Sequence, residues 1–128
     1  MEYYFNTFVE ATFEEAIQRT TEALKKEGFG VISVIDMKEK LKEKLNVDFK
    51  RYTILGACNP PNAYKALQAE DKIGTMLPCN VLVIEQGENH TEVAVVNPIA
   101  SMQAISNPSL GEIALQITNK LKNVISNI

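Results

Sequence analysis

Asn80-Val81-Leu82-Val83-Ile84-Glu85-Gln86-Gly87-Glu88-Asn89-His90-Thr91-Glu92-Val93-Ala94-Val95-Val96 is the stretch that decides how this chain folds. Val81 to Ile84 form a nearly continuous apolar run, the pattern of a central strand covered on both faces. Gly87-Glu88-Asn89 is a turn signal, and Glu92 to Val96 follow as a second β-branched run. A connection this short joins antiparallel strands, because a parallel pair needs a crossover of a dozen or more residues. Residues 80–96 therefore predict a hairpin, which points away from a doubly wound parallel sheet. That runner-up is weakened further because no strand is followed by a glycine-rich phosphate loop.

Working outward, residues 3–9 are rich in aromatic and β-branched types and predict a first strand. Thr12 and Glu15 have the spacing of a capping box. Phe13, Ile17, Thr20 and Leu24 then recur at helical intervals until Gly28 and Gly30. A β-branched run at 31–35 precedes a Lys/Glu-rich helix over 37–45, with Asp36 as its cap and Met37, Leu41 and Leu45 as its apolar stripe. Residues 52–58 read as a third strand, closed by Asn59-Pro60-Pro61 because prolines cannot donate ladder hydrogen bonds. Residues 62–70 predict a short helix capped by Asn62. Beyond the hairpin, Ile99 to Ser106 fits no single pattern. Ser109 and Glu112 resemble a second capping box, opening a long helix with a wide stripe from Leu110 to Ile128 that must be buried on something. The order β-α-β-α-β-α-β-β-α predicts an α+β single domain, residues 1–128, with a mixed or antiparallel sheet carrying helices mainly on one face.

Composition bounds the function. A chain of 128 residues, 45% hydrophobic and 23% charged, is large enough to bury a core without disulfides or metal. Thirteen basic and sixteen acidic residues give a net charge of −3, which disfavours general nucleic-acid binding. The Lys-rich stretch from Lys38 to Arg51 interleaves Glu39, Glu43 and Asp48, as a solvated helix face does. The first residues lack the basic and apolar regions of a signal peptide, and no apolar run reaches the about 18–20 residues that cross a bilayer. A cytoplasmic protein with no membrane partner is the resulting expectation, and Asn89-His90-Thr91 is then part of a turn rather than a glycosylation site. The nucleophile elbow, the His-Glu-x-x-His helix and the phosphate-binding loop are all missing. With His90 the one histidine and placed in a turn, nucleophilic hydrolysis is disfavoured.

Two segments could carry chemistry: Gly56-Ala57-Cys58-Asn59-Pro60-Pro61 at the end of a strand, and Leu77-Pro78-Cys79-Asn80 where the next begins. Together with Gly28-Phe29-Gly30-Val31, the Cys-Asn-Pro and Leu-Pro-Cys-Asn motifs resemble those of the domain-of-unknown-function 302 family over nearly the whole chain. The resemblance implies a compact α+β domain that forms a homodimer, and no established activity or cofactor.

Topology decides whether Cys58 and Cys79 meet. Antiparallel neighbouring strands would bring the end of one beside the start of the next, whereas parallel ones would hold the thiols roughly 20 Å apart. A meeting pair could cycle as a dithiol or bind a soft metal such as zinc or copper(I). Apart, each is a small buried residue. Asn59 and Asn80 fit turn or helix caps, and Pro60, Pro61 and Pro78 fix chain direction. The leading expectation is a binding or sensing module in which Cys58, Asn59, Pro60, Pro78, Cys79 and Asn80 surround a small-ligand pocket. A partner-binding dimer that uses the last helix comes next, then a thiol or metal protein using Cys58 and Cys79.

Overall fold

The computed structural model covers residues 1–128. Five strands form one sheet: β1 (Tyr4–Val9), β2 (Gly30–Asp36), β3 (Tyr52–Cys58), β4 (Cys79–Gly87) and β5 (His90–Val96). Their spatial order is β1-β5-β4-β3-β2, and every neighbouring pair is antiparallel. The hairpin read from residues 80–96 is the centre of this sheet, with Val83 opposite Val93.

Strand alternation sorts the side chains onto two faces. Leu55, Ala57, Cys79, Val81, Val83, Val93 and Val95 point to one face, where they meet the apolar sides of α1 (Phe13–Lys26) and α5 (Ser109–Ser126) in the main core. Leu24 and Leu121, fully buried, anchor the two helices there. The last helix thus spends its wide stripe on its own sheet. On the other face Tyr4 and Tyr52 border a shallow depression with Leu82, Ile84 and Ala94. A second, smaller core lies at the end of α5. There Leu110 and Ala114 meet Met102, Ala66 of α3 (Pro60–Ala69) and Ile73 of a 3-10 turn (Asp71–Met76).

Local chemistry explains the helix starts, with two corrections to the sequence reading. Thr12 caps α1, its hydroxyl accepting from the Glu15 amide at 3.2 Å. Asp36 caps α2 (Met37–Leu45) in the same way at 3.0 Å. α3 begins earlier than expected: its cap is Asn59, not Asn62, and Pro60 and Pro61 occupy the first helical turn, where a missing N–H costs nothing. The Ser109–Glu112 box does not form, since Ser109 is already helical and its amide is instead held by the Asn107 side chain at 3.0 Å. The ambiguous stretch after Asn97 holds a one-turn helix, α4 (Pro98–Ser101). The expected stripe of α2 is largely unburied: Met37 and Leu41 are half-buried and Leu45 is exposed. No helix is long and apolar enough to cross a membrane.

Candidate functional site

The chemistry-bearing segments converge at the edge of the sheet where β3 ends and β4 begins. Because these strands are antiparallel, Ala57 stands directly opposite Cys79, and Cys58 is one residue further on. Both cysteines are free thiols and both line one cavity of about 310 Å³. Eleven of its fourteen lining residues are hydrophobic, and it adjoins the small core beneath α3.

Asn59 closes one side of this cavity and ties three elements together. Its Oδ1 accepts from the Asn62 backbone amide at 3.3 Å and from Asn62 Nδ2 at 3.1 Å, while its own Nδ2 donates to the Glu27 carbonyl at the end of α1. Gly28 turns beside it with φ +82°, and a Cβ there would approach Asn59 Nδ2 to 3.1 Å. The positive φ favours glycine here and the close approach adds to it, so the Gly28-Phe29-Gly30 segment delivers Phe29 into the cavity wall. Gly56 does similar work on β3: a Cβ would collide with Ser33 Oγ and lie 2.7 Å from Pro78 Cγ.

Of the six residues expected around a pocket, Cys58, Asn59, Pro78 and Cys79 line the cavity, and two do not. Pro60 is exposed in the first turn of α3, and Asn80 is exposed on β4 with its side chain on the far sheet face, capping nothing. The alternation of a strand accounts for Asn80: adjacent residues cannot both face the helices. The sequence reading missed Phe29, Ile32, Ala63, Leu67, Met102 and Ile117. These are ordinary apolar residues from separate elements, and only their convergence marks them.

Burial pushes the Cys79 thiol up from 9.0 to about 11, with a smaller contribution from a charged Cys58. At neutral pH Cys79 is accordingly a thiol and not a thiolate, the reverse of what a catalytic nucleophile requires. No group of three or more His, Cys, Asp or Glu side chains gathers anywhere in the chain, and His90 stacks on Phe8 at 5.3 Å in the far hairpin.

The raised value has a consequence for stability. Above pH 9 the unfolded chain releases the Cys79 proton while the folded protein keeps it, so the protonated-state advantage is lost as pH climbs from 9 to about 11. A shift of this size corresponds to roughly 2–3 kcal/mol. Urea unfolding of wild type and Cys79→Ala should therefore show a steeper alkaline loss in the wild type over that window; parallel curves would remove the shift.

A wider concavity, about 540 Å³, lies beside α2, but its walls are Lys, Glu and Asp with Val47 as the single apolar residue. Water competes for each of those groups, and the apolar cavity has the better claim to a ligand.

A five-stranded antiparallel sheet backed by two long helices, with an apolar cavity and two free thiols at one end, defines a compact α+β domain. Residues 5–128 match the family described as domain of unknown function DUF302, and the chain belongs to that family. A crystal structure of an uncharacterised conserved DUF302 protein from Bacillus stearothermophilus is similar over 99% of this chain and 98% of that one, at 31% identity and a TM-score of 0.91. No curated protein matches the chain.

Proposed function

We propose that this protein is a cytoplasmic small-ligand binding or sensing module, and that its site is the apolar cavity at the β3–β4 end. The observation that carries the reading is a preformed cavity of about 310 Å³ with eleven apolar lining residues and few polar ones. That size sits at the lower end of the range for small-molecule sites. Asn59 is committed to internal hydrogen bonds, leaving the two thiols as the polarisable spots on an otherwise oily wall. Such a wall suits a compact, mostly apolar molecule.

A thiol or soft-metal role for Cys58 and Cys79 ranks lower, because one of the two is held protonated and no third ligand stands with them. We also read the chain as a homodimer. Since the apolar face of α5 is consumed by its own sheet, that helix does not supply the contact.

The ligand reading is tested with 1-anilinonaphthalene-8-sulfonate as an apolar probe. Ala63, half-buried at the cavity wall, can be enlarged without removing any existing contact. Wild type should bind one probe with enhanced fluorescence, and Ala63→Phe should lose about tenfold or more in affinity as its ring fills the space. Circular dichroism checks that the variant is folded. Equal binding by both proteins, or none by the wild type, would reject the cavity as a ligand site.

A further inference from the structure

We propose that β2 is the dimerisation edge of this protein, pairing antiparallel with β2 of a second copy about Ser33, so that one sheet runs through both chains. This rests on the reading of the chain as a homodimer and specifies its surface.

From Gly30 to Lys50, through a complete strand and a complete helix, not one residue is buried. Within that arm Ile32 is 65% exposed, Val34 64% and Leu45 66%, and Ile35, Val47 and Phe49 are also exposed. Large apolar side chains exposed singly are ordinary, but Ile32, Val34 and Ile35 stand exposed together on one edge strand.

The strand itself is suited to its own copy. It lies at the edge of the sheet, with one side paired to β3 and the other side open. Edge strands are normally protected by lysine, proline, inward charge, a bulge or a covering element, and β2 has only the bulge, between Val31 and Ser33. Val31-Ile32-Ser33-Val34-Ile35 is nearly palindromic in side-chain type. An antiparallel pairing about Ser33 sets Ile32 against Val34 and Val31 against Ile35 of the other copy, with Asp36 against Gly30. Ile32 and Val34 meet apolar to apolar and no like charges face each other, while the bulge turns Val31, opposite Ala57, and Ile35, opposite Ile54, to different faces. The two α2 helices leave the seam at opposite ends, which keeps their lysines apart.

The opposite edge is more covered, although Phe8 is exposed on it. β1 already buries Val9 and half-buries Tyr4, Phe5 and Thr7, and α5 lies over it with Lys122 above the Phe5 ring. The dimer seam also adjoins the ligand cavity: Ile32 lines that cavity, and the pairing lays Val34 of the second copy beside it.

Sedimentation equilibrium of the intact protein across the micromolar range tests the proposal with three variants. Val34→Lys is expected to raise the dimer dissociation constant about 100-fold or more, since two lysines would meet an apolar seam. Ile32→Glu, at a second exposed position, should do the same. Leu115→Lys, on the exposed side of α5, should leave the dimer intact. A dimer that survives both β2 substitutions, or one that Leu115→Lys dissociates instead, overturns the β2 edge while keeping the homodimer. A wild-type protein that stays monomeric throughout overturns the homodimer reading itself.

Discussion

Valine in place of Gly56 is expected to destabilise the protein by about 3 kcal/mol or more, as a new side chain forced into an occupied site does. Gly56 lies on β3, between β2 and β4, buried on the sheet face away from the helices. The first carbon of any side chain there would overlap Ser33 Oγ and come within 2.7 Å of the Pro78 ring. The serine hydroxyl can rotate away, but a proline ring cannot. The added methyls of valine must therefore push β2 or the Leu77-Pro78 segment outward, and both border the cavity. Urea titration should give a lowered midpoint for Gly56→Val, with Gly56→Ala between it and wild type. Gly111→Ala, where a Cβ meets nothing within 4 Å, is the control that should not destabilise. A Gly56→Val protein as stable as wild type would mean that this crowding does not exist in solution.

The second large effect is expected at Asn59. Alanine there removes the cap of α3 and leaves the Asn62 amide groups and the Glu27 carbonyl without their partner, in a place where Asn59 is only 8% exposed. A lost cap costs typically about 1 kcal/mol and each orphaned buried group about 1–3 kcal/mol, so a loss of roughly 2–4 kcal/mol follows. Aspartate would keep the cap but lose the bond to Glu27, and should fall between alanine and wild type. Chemical denaturation of the three proteins gives the order directly. A loss below about 1 kcal/mol for Asn59→Ala would show that water replaces these bonds, and that Asn59 does not join α1, β3 and α3 at the cavity.

Much of the architecture could be read before any coordinates, and the reasons are local. The apolar run Val81–Ile84, a turn at Gly87-Glu88-Asn89 and a second run at Val93–Val96 can hardly be satisfied except as neighbouring antiparallel strands. Helix starts were legible where a cap is set by spacing alone, as at Thr12 and Asp36. They were misread where two candidates compete. Asn59 and Asn62 are both good caps, and Pro60-Pro61 suits a first helical turn as well as a strand end, so the sequence pattern could not choose between them. At Ser109 the side chain of Asn107 reached the helix amide first.

Sequence by itself determined the single α+β domain, the hairpin at its centre, and the DUF302 resemblance that the family match bears out. These depend on periodicity, turn chemistry and short motifs, all of which are written within a few residues. Only the tertiary structure decided that Cys58 and Cys79 share one cavity while Asn80 turns away. It also decided that α5 is satisfied by its own sheet while β2 and α2 are left uncovered. Those outcomes depend on strand order and on which apolar faces meet, and an apolar stripe carries no mark of the surface that will cover it.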